Sequence, residues 1–139
     1  MKTVTQRLLS ITSMIAFALL LVAGTATAKE KSKAQKMYEK QKTVVETAGP
    51  TDWKLLAKSA RKLIAKETHL EEAKAWLDRS LKIFEAPYNL EVMGDYYALN
   101  GDKESAIAWY VKALNKGARY SGFNADVLQD KINSLRNKA

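Results

Sequence analysis

Two eleven-residue segments of the chain match each other at a constant offset of 33 residues. EEAKAWLDRSL, residues 71–81, aligns with ESAIAWYVKAL, residues 104–114. A repeat near this length, filled by one pair of helices, is typical of solenoids whose units bury their apolar faces against one another. The repeat therefore predicts stacked helical hairpins. The identical pairs are Glu71/Glu104, Ala73/Ala106, Ala75/Ala108, Trp76/Trp109 and Leu81/Leu114.

The rest of the chain has the same helical character. Apolar side chains recur at intervals of three and four residues, which is the period of an amphipathic helix. No window of four or more residues alternates as a strand would. The pattern predicts an all-α chain of six helices, one in a basic segment at 29–48 and five in a helical domain at 51–139.

Residues that start and stop helices stand between these segments. Thr68 and Glu71 have the spacing of a capping box, in which each side chain accepts a hydrogen bond from a free amide. Gly101 can supply a left-handed residue at a helix end. The predicted caps and breaks are Gly49-Pro50, Thr51 or Asp52, Thr68 with Glu71, Pro87, Asn100-Gly101, Asp102 and Asn124.

The segment 87–120 resembles a tetratricopeptide repeat. In that family an apolar, a small and an aromatic residue on one helix are followed by alanine, aromatic and alanine on the next. The matching residues are Leu90, Met93, Gly94, Tyr97, Ala106, Tyr110 and Ala113. Residues 54–86 look like a weaker copy, with Arg61 where the family has a small residue. Segment 106–118 is also similar to the related Sel1-like repeat.

The resemblance implies a short right-handed solenoid, with hairpins at about 54–86 and 87–120 and a capping helix at 124–136. Small residues would let the helix backbones approach closely, and aromatic side chains would fill the remaining space. The expected packing residues are Gly94, Tyr97, Ala106, Tyr110, Ala113, Trp76 and Trp109.

Residues 1–28 have the order of a secretory signal peptide. Lys2 and Arg7 precede an apolar run at 8–23, and the small residues at 26–28 follow it, so cleavage is expected after Ala28. The alternative is an uncleaved inner-membrane anchor formed by residues 8–23, although this run is shorter than the ~20 apolar residues of a transmembrane helix. The sequence thus predicts an exported chain, periplasmic or secreted.

The segment that follows the leader is strongly basic. Residues 29–42 hold six lysines against Glu30 and Glu39. One possibility is that these lysines bind weakly to an anionic lipid or wall polymer. The other is that they belong to a solvated first helix. Nucleic acid is not an expected partner, because the chain is exported and the segment lacks the arginines that such sites usually show.

Candidate catalytic residues are few. The chain has no cysteine and a single histidine, His69, placed at a helix start where an added positive charge is disfavoured. The acid pairs Glu71/Glu72 and Glu91/Asp95 come without a glycine-rich loop or an orienting base. The sequence therefore predicts a non-enzyme with no cofactor and no metal site.

The resemblance also implies a groove that receives a peptide, because tetratricopeptide arrays present the first helix of each hairpin along a concave face. On each of two helices the candidate residues are spaced by four, so they form one stripe along that helix. An alternative is that Lys58 and Lys62 only pair with Glu91 and Asp95 between neighbouring helices. The groove-facing residues would be Lys58, Lys62 and Lys66 on one helix, and Glu91, Asp95 and Leu99 on the next.

These features together predict a non-catalytic binding or assembly module in the periplasm or cell envelope. Its partner would be another envelope protein or a peptide segment, held in the groove. The alternative is an envelope-surface protein whose basic segment, 29–42, grips anionic lipid or wall polymer while the repeats act as a spacer. With two repeats the groove would be short, and a homodimer that extends it is left open by the sequence.

Overall fold

The computed structural model describes residues 33–137, which form six helices and contain no strand. The all-α prediction is confirmed for this part of the chain, whereas the predicted signal peptide and residues 29–32 lie outside the described residues. Residues 33–46 are helical and are named α1. The other helices are α2 Trp53–Ile64, α3 Leu70–Ile83, α4 Pro87–Leu99, α5 Lys103–Gly117 and α6 Asp126–Asn137.

The chain divides into two units between Lys36 and Met37. In the first unit the described residues are 33–36, which are helical. The core and the candidate site belong to the second unit, from Met37 onward. No helix within 33–137 combines the length and the apolar character needed to cross a bilayer.

The helices of the second unit pack chiefly in consecutive pairs. The most extensive contacts join α4 to α5 and α2 to α3. Helix α4 also touches both α2 and α3, and α6 packs on α5. On α2 the buried residues Leu56, Ala60 and Leu63 recur at intervals of four and three, so one face of this helix is apolar and the opposite face is free for lysines.

Buried side chains form two clusters, one between α2, α3 and α4 and one between α4, α5 and α6. Leu81, Tyr97 and Trp109 contact both clusters, so the two are continuous. Burial of these side chains is the main term that stabilises a small domain without disulfides. The first cluster is Ala57, Ala60, Leu63, Ile64, Ala73, Leu77, Val92 and Met93, and the second is Leu90, Ala106, Tyr110, Ala113, Leu128 and Ile132.

The 33-residue offset brings buried positions into correspondence. In each of three pairs both side chains are at most 2% exposed. The pairs are Ala73/Ala106, Leu77/Tyr110 and Ser80/Ala113. In the last pair the core contains a serine hydroxyl on α3, whereas the equivalent position of α5 has only a methyl group.

Gly94 of α4 faces the ring of Tyr110 on α5. Both residues are buried, and a Cβ atom at position 94 would overlap the Tyr110 ring. The Tyr97 ring then stacks on Trp109, with centroids 6.4 Å apart and planes 9° from parallel. The absence of a side chain at Gly94 is thus what allows α4 and α5 to approach at this point.

Three residues predicted at helix ends have the expected geometry. Asp102 precedes α5, and its carboxylate accepts a hydrogen bond from the Ser105 amide at 3.0 Å. The Ser105 side chain, followed by this amide hydrogen bond, lowers the pKa of the Asp102 carboxyl. Gly101 has a φ of 79°, the left-handed conformation predicted for it. Asn124 accepts from the amide of Asp126, the residue at which α6 begins.

The predicted capping box at Thr68 is wrong. The Thr68 hydroxyl bonds to Nδ1 of His69 at 2.8 Å, and His69, with a φ of 47°, is the residue that precedes α3. In this conformation the His69 ring stacks on Tyr38 of α1, with centroids 4.0 Å apart. A contact between distant helices therefore replaces the local cap. Asp52 does not cap α2 either, because its carboxylate accepts from the Gly49 amide instead.

Candidate functional site

Three lysines form an exposed stripe on α2. Lys54, Lys58 and Lys62 are spaced by four residues, and all three line a depression of about 350 Å³ whose wall includes Val44 of α1. Lys62 donates a hydrogen bond to the neutral side chain of Gln41 on α1 at 3.2 Å. Within residues 33–137 none of the three lysines forms an ion pair with a carboxylate. Asp52 also lines the depression, but its carboxylate accepts from the Gly49 amide, so the stripe presents three lysines that are not in an ion pair within this range.

The predicted third lysine is not part of this stripe. Helix α2 ends at Ile64, and Lys66 lies in the turn that follows. Once the backbone leaves the helix, a spacing of four residues no longer keeps side chains on one face. Lys54, one turn earlier than predicted, takes part in its place.

The two predicted acids of α4 are held by other cations. Glu91 pairs with Lys131 of α6 at 2.6 Å and with Arg61 of α2 at 3.7 Å. Asp95 pairs with the same Lys131 at 2.7 Å. Both carboxylate side chains are largely shielded, with 18% and 20% of their surface exposed.

The alternative in which Lys58 and Lys62 pair with these acids is therefore wrong. Arg61 is the α2 side chain that pairs with Glu91, and it also lies over the Tyr88 ring at 5.6 Å. The structure separates the predicted groove residues, because the lysines line the depression beside α1 and the acids lie under α6. Leu99, the last residue of α4, is exposed.

Asp95 also anchors the buried tyrosine of the second cluster. The Tyr110 hydroxyl donates to Asp95 at 2.8 Å. Burial, followed by the negative charge of Asp95, raises the pKa of Tyr110 above its usual range. The hydroxyl consequently stays protonated and acts as a hydrogen-bond donor, so the acids of α4 have a structural role in joining α4, α5 and α6.

Replacing Lys131 with methionine tests this role. We expect a loss of about 1–3 kcal/mol in the free energy of unfolding, because two shielded carboxylates lose a charged donor. Urea denaturation should show a lower midpoint with an unchanged slope. The matched control is Lys82→Met, at an exposed lysine of α3, which should change stability by less than about 0.5 kcal/mol. Equal effects of the two substitutions would contradict the proposed anchor.

A second concavity, which we name the aromatic pocket, is lined by side chains that the sequence pattern did not bring together. Its volume is about 390 Å³. Phe84 and Tyr120 remain 45% and 47% exposed within it, and the Trp53 and Phe84 rings pack with centroids 5.5 Å apart. The lining residues are Trp53, Lys54, Phe84, Ala86, Pro87, Tyr88, Glu91, Tyr120 and Phe123.

The aromatic pocket is built from the ends of helices. Trp53 begins α2, Phe84 follows α3, and Tyr120 and Phe123 follow α5. Phe123 packs directly on Gly117, where a Cβ atom would overlap its ring. The sequence signal that could have located the pocket is this placement of four aromatic residues in or beside the links between helices.

A buried polar network holds the walls of the aromatic pocket. Asn89 accepts from the Ala86 amide at 2.9 Å and donates to the Ser80 hydroxyl at 2.9 Å and to the Phe84 carbonyl at 2.8 Å. Ser80 in turn donates to the Trp53 carbonyl at 2.7 Å. Because Asn89 and Ser80 are both fully buried, these bonds fix the backbone beside the two packed rings.

The aromatic pocket and the lysine stripe adjoin each other. Lys54 lines both the pocket and the depression beside α1. The structure thus has an apolar cavity that can take one side chain, and a row of lysines lies next to this cavity. The other residues considered as catalysts lie elsewhere: His69 is stacked on Tyr38, and Glu71 is exposed on α3.

Among residues 33–137 no group of three His, Asp or Glu side chains is arranged to hold a metal ion. Comparison with known proteins finds no matching family model, no curated protein and no solved structure with significant similarity to the chain.

Proposed function

We propose that the chain is an exported, non-catalytic module that binds a segment of another envelope protein. Its hairpins would stack as in a short tetratricopeptide-like solenoid, and the binding surface would comprise the aromatic pocket and the lysine stripe of α2. The observation that carries this proposal is the exposure of Phe84 and Tyr120 inside a concavity. Aromatic side chains that stay exposed in a concave site are typical of protein-binding surfaces.

The state of the carboxylates supports a binding role over catalysis. Glu91 and Asp95 are engaged by Lys131, and Asp95 also accepts from Tyr110. A general acid or base must be within reach of a substrate. Asp95 is committed to contacts between helices, and Glu91, which also lines the aromatic pocket, is paired with Lys131 and Arg61. The lysines of the α2 stripe, in contrast, have no ion-pair partner within the described residues and can receive a ligand.

The proposed function is tested by capture from an envelope extract. The bait is the full chain, expressed with its leader so that any processing takes place in the cell. It is compared with a Lys58→Glu/Lys62→Glu variant and with a deletion of residues 29–42. We expect one protein to be captured by the wild type and to be lost with the charge reversal. Capture that the charge reversal leaves unchanged would contradict a partner held on the stripe.

A second candidate function follows from the basic segment. In α1, Lys33, Lys36 and Lys40 are exposed, whereas Lys42 pairs with Glu46 at 3.9 Å. An exposed set of lysines suits attachment to anionic lipid or wall polymer, with the helical domain as a spacer. Binding of this kind would disappear in the deletion of residues 29–42 and would weaken steeply with salt.

A further inference from the structure

We infer that the segment bound by this surface is acidic and carries a single aromatic anchor. This inference rests on the proposed function and specifies the chemistry of its partner. The anchor would enter the aromatic pocket, and carboxylates beside it would lie along Lys54, Lys58 and Lys62.

The size of the aromatic pocket favours one large apolar side chain. A volume of about 390 Å³ lies near the lower end of the range usual for small-ligand pockets. Its walls are mostly aromatic rings, which attract another ring through offset or edge-to-face packing. The Trp53 and Phe84 planes are tilted by 46°, so these two walls meet at an angle that can receive the edge of another ring. A flat platform would better suit a run of stacked bases.

The charges around the pocket favour an acidic flank. Glu91, the carboxylate in its lining, is already paired with Lys131 and Arg61. Lys54 has no ion pair with the described residues and continues into the stripe of Lys58 and Lys62. A cationic ligand would meet these charges unfavourably, whereas carboxylates next to the anchor would be attracted by them.

The spacing of the lysines matches an extended segment. Residues four apart on a helix rise by about 6 Å, so the stripe from Lys54 to Lys62 spans about 12 Å. An extended peptide covers that length with about four residues. A cluster of acids directly beside the anchor could therefore contact all three lysines at once.

The probe is a fluorescein-labelled peptide, Asp-Glu-Asp-Gly-Phe-Gly-Asp-Glu-Asp, whose binding to the full chain is measured by fluorescence polarisation. It is compared with a peptide in which alanine replaces phenylalanine and with one in which amides replace every carboxylate. Either change should weaken binding about tenfold or more, because each removes one of the two contacts. Equal binding of the amide peptide would overturn the inference.

The protein variants separate the two parts of the surface. Lys54→Glu/Lys58→Glu should weaken binding of the acidic peptide about tenfold or more, and Phe84→Ala/Tyr120→Ala should do the same through the pocket. The matched control, Arg79→Glu/Lys82→Glu, reverses two exposed charges of α3 outside both cavities and should stay within about twofold. Circular dichroism confirms that each variant is folded. A control that weakens binding equally would contradict a specific stripe.

The same binding measurements also distinguish other ligands of this surface. Preferential binding of oligo-thymidine or of phosphatidylglycerol vesicles would replace the peptide by a nucleic acid or a membrane. A wild-type dimer that the Phe84→Ala/Tyr120→Ala variant converts to a monomer in sedimentation would place a second copy in the pocket. Each of these results would overturn the inference.

The inference and the proposed function can fail separately. If the acidic peptide does not bind, yet an envelope protein is still captured and is lost with Lys58→Glu/Lys62→Glu, only the partner chemistry is wrong. If neither the peptide nor an envelope protein binds, the proposed function fails as well.

Discussion

Replacing Gly94 with alanine is expected to lower the free energy of unfolding by about 2–3 kcal/mol. The added Cβ atom would overlap the Tyr110 ring, and overpacking of a close-packed core costs about this much. Tyr110 cannot easily yield, because it is buried and its hydroxyl is bonded to Asp95. Thermal denaturation should show a decrease in Tm of about 10–20 °C for a domain of this size.

The control for Gly94 is the same substitution in a Tyr110→Leu background, which leaves space for the Cβ atom. There Gly94→Ala should be neutral or stabilising by up to about 1 kcal/mol, since alanine is favoured over glycine inside a helix. An equal loss of stability in both backgrounds would show that contact with Tyr110 does not explain the glycine.

Replacing Asn89 with alanine is expected to cost about 3–4 kcal/mol, because this side chain is fully buried and each of its three partners loses one hydrogen bond, at about 1–3 kcal/mol for a buried group and partly relieved by relaxation. These partners are the Ala86 amide, the Phe84 carbonyl and the Ser80 hydroxyl. The walls of the aromatic pocket should also loosen. We therefore expect weaker binding of a pocket ligand even where the variant is folded.

The matched control is Asn115→Ala, at an exposed position of α5, which should change stability by less than about 0.5 kcal/mol. Since Ser80 shares a hydrogen bond with Asn89, the loss in Ser80→Ala/Asn89→Ala should be smaller than the sum of the two single losses. Strict additivity in urea denaturation would contradict a coupled network.

Local patterns in the sequence predicted the helices and several helix ends, although the side chains of Thr68 and Asp52 have other partners than the predicted caps. The 3.6-residue period predicts helices because it places Leu56, Ala60 and Leu63 on one face. Asp102 could be recognised as a cap because the amide that it accepts from is only three residues away. For such features the interacting groups are close in sequence, and chain geometry alone brings them together.

The candidate site depended on contacts that are distant in sequence. Lys131, 36 residues from Asp95 and 40 from Glu91, pairs with both acids, and no spacing rule relates them. The choice between Arg61 and its neighbour Lys62 depends on the rotation of α2 about its own axis, since adjacent helical residues point about 100° apart. The predicted lysines and acids are therefore not brought together, although two of the lysines belong to one stripe.

The aromatic pocket could not be predicted from the sequence, for a related reason. Trp53, Phe84 and Tyr120 come from three separate parts of the chain, each at or beyond the end of a helix. Helical periodicity reports which residues face a core, and it carries no information on how the links between helices meet. The burial of the polar residue Asn89 could not be predicted from helical periodicity either, because its hydrogen-bond partners belong to α3 and to the α3–α4 link.

Site-specific crosslinking in the cell tests the central claim most directly. The photoreactive residue p-benzoylphenylalanine would replace Phe84 in the aromatic pocket and, as a control, Val111, an exposed apolar residue of α5. We expect one discrete protein adduct from position 84, none from position 111, and loss of the adduct with Lys54→Glu/Lys58→Glu. Failure of position 84 to crosslink, or the same adducts from both positions, would contradict a protein-binding surface at the pocket.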